Sequence, residues 1–163
     1  MSVTDILNRA KAKGVMIATA ESCTGGLVAA ALTDIPGSSA VVERGFVTYT
    51  NTAKQQMLGV QADTLEAHGA VSEQVAREMA EGALKHSGAQ LTVSVTGIAG
   101  PGGSEFKPEG RVCFGLAAEG QDTITETVEF GALGRDKVRI AARDHALDLL
   151  YRHLQKGAKA QGL

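Results

Sequence analysis

The chain has 163 residues, 44% of them apolar and 21% charged, with a formal net charge of −2. That length suits one domain with its own core, and the near-neutral balance supplies no basic stripe for DNA or RNA. Aromatic residues make up 4% and tryptophan is absent, so base-stacking platforms are scarce, and no apolar run approaches membrane-spanning length.

In chain order, Val3, Ile6, Leu7 and Ala10 follow helical spacing, with Ser2 or Thr4 to cap and Gly14 to stop. A strand over 15–20 runs into Glu21-Ser22-Cys23-Thr24-Gly25-Gly26, and a helix over about 24–34 ends at Pro36-Gly37-Ser38-Ser39. Residues 41–50 read as a second strand with a bulge at Gly45, after which Asn51-Thr52 caps a short helix closed by Gly59. A further short helix over 61–68 stops at Gly69, and Ser72 caps a longer one ending near Ser87-Gly88. Leu91 to Thr96 is a strand, residues 97–110 a glycine- and proline-rich loop, and 111–118 with 122–130 a hairpin. The last helix spans about 134–153, carrying Val138, Ala142, His145 and Leu149.

Alternating helices and strands with a late hairpin predict an α/β fold, a single-domain three-layer α/β/α sandwich with a mixed β-sheet. The domain is expected over 1–155, with a frayed tail over 156–163. The two cysteines, Cys23 and Cys113, stand far apart, and the charged start MSVTDILNRAKAKG lacks a secretory apolar core. A reduced, cytoplasmic protein is expected.

The turn at 21–26 is the first place where chemistry concentrates. A strand-to-helix turn aims backbone N–H groups and a helix dipole at one spot. Ser22 there is a nucleophile, a phosphate ligand or only an N-cap, and Thr24, nearer the helix, is available to cap in its place. Cys23 is a rival nucleophile, since a helix N-terminus lowers a thiol pKa.

A serine nucleophile needs a base. The four histidines (His68, His86, His145, His153) have no metal-ligand spacing, which disfavours metal hydrolysis. Lys54, at the start of a helix just past a strand end, is the alternative base. An ordinary lysine near pKa ~10.4 must lose roughly 4.6 kcal/mol of protonation preference to be neutral at pH 7, which burial and a nearby cation can supply. Tyr49 is placed to relay the proton or to accept a hydrogen bond from the lysine. The second glycine cluster, from Thr96 and Gly97 through Gly100 to Gly103, follows a strand and suits backbone contact with an anion, although it is neither a Walker loop nor a dinucleotide fingerprint. Arg135 and Arg139, early in the last helix, are the natural cations.

These segments together resemble one family. TAESCTGG at 19–26, PGSS at 36–39, GFVTYTNTAKQQMLGV at 45–60, HGAVSEQVA at 68–76, VTGIAGPGG at 95–103 and the Arg135…Arg139 helix are similar to the C-terminal domain of CinA competence/damage-inducible proteins and to stand-alone nicotinamide-nucleotide amidohydrolases. The resemblance implies deamidation of nicotinamide mononucleotide to nicotinate mononucleotide and ammonia. It implies catalytic Ser22, Lys54 and Tyr49, with Thr96 and Arg135 in the pocket, and the two glycine loops and the last helix add Glu21, Thr24, Gly25, Gly26, Gly97, Gly100 and Arg139 as expected substrate-binding residues. The N–H groups near Thr24–Gly26 would hold the oxyanion. No metal or organic cofactor, no nucleic acid and no membrane partner is implied, and a homo-oligomer, a dimer, is expected. Two departures from the family pattern stand out: Pro108-Glu109-Gly110 where Pro-Val-Gly is common, and an approach to the last helix one residue longer than usual. The second leaves open which of Arg135 and Arg139 meets substrate. The reading from another class is a nucleotide-binding regulatory module without turnover.

Overall fold

The computed structural model describes residues 2–104 and 106–161, from 157 onward by backbone alone. In chain order it contains α1 (Val3–Lys13), β1 (Ile17–Glu21), α2 (Leu27–Thr33), β2 (Val42–Val47), α3 (Asn51–Leu58), α4 (Ala62–His68), α5 (Glu73–Lys85), β3 (Leu91–Gly97), β4 (Arg111–Ala118), β5 (Ile124–Glu129) and α6 (Arg135–Gln161). Among the described residues no helix is long and apolar enough to cross a membrane.

The five strands form one mixed sheet in the order β2-β1-β3-β4-β5. β1 lies between two parallel neighbours, β2 and β3, while β3–β4 and β4–β5 pair antiparallel. All five β1 residues are buried, as expected of a central strand covered on both faces. One face packs against α1, α2 and α6 through Ile6, Leu32, Val93, Phe114 and Leu150. The other packs against α3 and α5 through Ala20, Phe46, Leu58 and Met79. The three-layer α/β/α sandwich with a mixed sheet is therefore present.

Local signals placed most helix ends correctly. Ser2 and Asp5 form a reciprocal capping box on α1, and Gly14 closes it in the left-handed conformation. Ser72 caps α5 by accepting the Val75 N–H. Four details differ from the sequence reading. The cap of α3 is Thr50, whose hydroxyl accepts the Ala53 N–H, and Asn51 is the first helical residue. A short 3-10 turn, Ser38–Ala40, follows α2. Gly45 is not a bulge: pairing passes from Ile17↔Val42 to Ala18↔Arg44, so Glu43 is the extra residue. Gly45 instead makes room, since a Cβ there would stand 2.9 Å from Thr19 Oγ1. Finally, α6 continues to Gln161, past Leu154, the last core residue among the described side chains. The expected tail over 156–163 thus lies partly in helical backbone and partly, at 162–163, outside the described residues.

Candidate active site

Three parallel strands end on the same edge of the sheet, and that edge gathers the site. β1 delivers Ser22, β2 delivers Thr48 and Tyr49, and β3 delivers Thr96 and Gly97. Ligands in open α/β sheets sit beyond the carboxyl ends of such strands, because the loops leaving them diverge around a crevice. Here the crevice is a cavity of about 330 Å³ lined by Ser22, Tyr49, Lys54, Thr96, the glycine loop and Arg135.

Ser22 and Lys54 meet at its floor. The Lys54 Nζ donates to Ser22 Oγ over 3.1 Å and to the Tyr49 carbonyl over 3.4 Å. Lys54 is 2% exposed and Ser22 8%, so a lysine, usually a surface residue, is here drawn inward. Two features of the chain put it there. Thr50 starts α3 directly after β2, which aims the first turn of the helix at the sheet edge. Gly82 then lets α3 lie against α5, where a Cβ would come within 1.9 Å of the Leu58 carbonyl oxygen.

The turn after Ser22 is held by a carboxylate rather than a hydroxyl. Glu21, fully buried, accepts the N–H groups of Gly26 (3.3 Å), Val28 (2.9 Å) and Ala29 (3.0 Å). It takes the capping role expected of Thr24, whose own Oγ1 is buried without a hydrogen bond among the described residues. Glu21 therefore anchors α2 instead of lining the cavity. The Gly25 N–H donates to the Ser22 carbonyl. With the Gly26 N–H taken by Glu21, neither glycine N–H is open to an oxyanion. The N–H groups of this turn that donate to no other residue among the described ones are those of Cys23 and Thr24.

The two arginines divide. Arg139 donates from Nε to the Cys23 carbonyl (3.1 Å) and from Nη2 to the Thr24 carbonyl (3.4 Å), bracing the turn from behind. A planar trans peptide points its N–H opposite its carbonyl. Holding the Cys23 carbonyl thus turns the Thr24 N–H away from α6. Arg135 lines the cavity and donates from Nη1 to the Gly100 carbonyl (2.8 Å) and from Nη2 to the Tyr49 hydroxyl (2.6 Å). The Tyr49 hydroxyl thus accepts from Arg135, while the Tyr49 backbone carbonyl accepts from Lys54. Thr96 and Gly97 border the cavity, the Thr96 hydroxyl donating to the Ala70 carbonyl over 2.9 Å.

With this geometry in view, the likeness to known proteins is specific. The sequence profile of the CinA C-terminal domain matches residues 2–154. The chain belongs to the CinA C-terminal domain family. A nicotinamide-nucleotide amidohydrolase PncC of Escherichia coli (strain K12) is 56% identical over 142 residues, covering 86% of each chain. A CinA-like protein of Chlorobium phaeobacteroides is 53% identical over 149 residues, which are 88% of this chain and 35% of that one. The chain thus spans about a third of the length of such CinA-like relatives. The crystal structure of the competence/damage inducible protein CihA from Agrobacterium tumefaciens superposes with a TM-score of 0.90 at 50% identity, covering 94% of this chain and 93% of that one.

Sequence reasoning missed the part of this CinA-family cavity made by Asn51, Val71 and Ile98, which also line it. Val71 and Ile98 are buried beside Ala76 and Cys113, so the cavity has one apolar wall. Their apolar character marks them only as core, and nothing local separates a core residue that borders a cavity from one that does not.

Cys23 also borders the cavity, but burial pushes its thiol up to about 12. Such a thiol stays protonated at neutral pH and is a poor nucleophile. Under the amide hydrolysis that the resemblance implies, Cys23→Ala should retain at least a third of the wild-type ammonia release, because the backbone N–H survives the change. A fall below about a hundredth would assign the attack to sulfur instead.

Proposed function

We propose that this chain hydrolyses the carboxamide of nicotinamide mononucleotide, giving nicotinate mononucleotide and ammonia, with Ser22 as nucleophile and Lys54 as base. The observation carrying the proposal is the buried 3.1 Å contact between Lys54 Nζ and Ser22 Oγ at the floor of the cavity. High identity to nicotinamide-nucleotide amidohydrolases over most of both chains supports the substrate.

In this reading Lys54 takes the Ser22 proton as Oγ bonds to the amide carbon. Removing an amine from water favours its neutral form, which suits a base. The tetrahedral oxyanion is met by the N–H groups of Cys23 and Thr24, preorganised by Glu21 and Arg139. The C–N bond breaks as Lys54 returns the proton to the departing nitrogen, which leaves as ammonia. Water then attacks the Ser22 ester, Lys54 again moving the proton, and the carboxylate product leaves with Ser22 restored. The chemistry needs no redox or carbanion-stabilising cofactor. Arg135 at the cavity mouth meets the phosphate, and the apolar wall of Val71 and Ile98 receives the pyridine ring.

Ammonia release should be followed with nicotinamide mononucleotide, nicotinamide riboside and nicotinamide. The mononucleotide is expected to exceed the other two in kcat/KM by at least tenfold, as one charge-assisted phosphate contact is worth about 1.5–3 kcal/mol. Saturable binding without ammonia would replace the proposal with a nucleotide-binding module.

A further inference from the structure

Glu109 lies outside the reacting atoms, yet its side chain spans two segments that build the polar end of the cavity. One carboxylate oxygen accepts the Gly102 N–H over 2.7 Å, within the glycine loop. The other accepts the Gly134 N–H over 3.1 Å, at the residue before α6 begins. The backbone beneath Glu109 is pinned on its far side, where the Gly110 N–H donates to the Ile98 carbonyl and the Gly110 carbonyl accepts the Phe130 N–H, each over 2.8 Å.

A second link joins the same two segments, since Arg135 Nη1 donates to the Gly100 carbonyl. The carboxylate and guanidinium thus close a ring running from Glu109 through Gly102, Gly100, Arg135 and Gly134 back to Glu109. Gly100 makes the ring possible: its φ is +91°, and a Cβ would stand 2.6 Å from the Glu109 carboxyl carbon. The Gly102 N–H, being held by Glu109, is not available to an anion in the cavity. Arg135, exposed and lining the cavity, is the cation whose placement bears on how a phosphate is met.

We propose that Glu109 is a positioning residue, whose carboxylate sets the spacing between the glycine loop and the start of α6 and thereby places the Arg135 guanidinium at the cavity mouth. Its consequence for substrate rests on the amidohydrolase reading above; its consequence for the two backbone segments does not. Gln at this position keeps one acceptor oxygen and offers a donor where the second N–H needs an acceptor, so it should preserve only half of the bridge.

The test compares wild type, Glu109→Ala and Glu109→Gln in two assays. In steady-state kinetics, Glu109→Ala should raise KM for nicotinamide mononucleotide at least tenfold with kcat within threefold. Glu109→Gln should fall between it and wild type, and kcat/KM for the riboside, which has no phosphate, should stay within twofold. Equal losses on both substrates, or an unchanged KM, would overturn the positioning role. In ligand-free protein, amide hydrogen exchange in Glu109→Ala should quicken at least tenfold over both 99–104 and 131–136, with 91–97 unchanged. Quickening of one segment alone would also overturn it. If wild type releases no ammonia, the amidohydrolase reading fails, while the exchange measurement still decides whether Glu109 couples the two segments.

Discussion

Ser22→Ala should lower ammonia release from nicotinamide mononucleotide by at least about 10³-fold, a rise of roughly 4 kcal/mol in the barrier, while the variant still folds and binds the nucleotide. The size follows from what is lost. Without Oγ there is no acyl-enzyme, and water would have to attack the amide directly in a cavity arranged around a side-chain nucleophile. Binding should survive because Arg135 and the glycine loop do not rely on the hydroxyl: the Arg135 contacts are to Gly100 and Tyr49. The Ser22 backbone N–H, which donates to Val95, is untouched, so the turn keeps its anchor. Turnover by Ser22→Ala above a tenth of wild type would remove Ser22 from the mechanism. Calorimetric titration of the variant with the nucleotide separates that outcome from a loss of binding.

Lys54→Met should cost about 10²–10⁴-fold in turnover, the range for a positioned general base. The two groups act as one unit, so Ser22→Ala/Lys54→Met should be no slower than Ser22→Ala alone. Lys54→Arg should not rescue, because a guanidinium does not give up its proton in a protein. The sign of the pH dependence is set by the same chemistry: the base is the neutral amine, so kcat/KM should rise with pH and level off once the amine is deprotonated. Lys54→Met should lose that rise. Its stability makes a separate readout. Replacing a buried amine by an apolar side chain of similar length removes a desolvation cost but also the hydrogen bonds to Ser22 and Tyr49, so the unfolding midpoint should stay near that of wild type. A markedly lower midpoint would give Lys54 a mainly structural role, and a pH profile unchanged in Lys54→Met would exclude it as the base.

Glu21 illustrates why part of this site was hidden. Its side chain looks like one more polar member of the Glu21–Gly26 turn, and Thr24 looks like the cap. Which of them caps α2 depends on the angle at which the helix leaves β1, and that angle is set by packing of Leu32 and Val28 into the sheet-facing core. The same holds for the arginines. They lie one helical turn apart on α6, so both are plausible cations until the crossing of α6 over the sheet puts Arg139 on Cys23, 116 positions earlier, and Arg135 on Tyr49, 86 positions earlier.

By itself the sequence determined the elements, most of their caps and the three-layer sandwich, and it named Ser22 and Lys54 as candidates. These rest on short-range physics: apolar periodicity, glycines such as Gly14 and Gly59 that end helices in the left-handed conformation, and motifs set at strand ends. Only the tertiary structure decided that the extra residue in β2 is Glu43, that Glu21 rather than Thr24 holds the turn, that the Tyr49 hydroxyl faces Arg135, and that Glu109 ties the glycine loop to α6. Each of these depends on where a charged or polar group finds its partner. A local pattern shows that such a group needs one, and the packing of distant segments chooses it.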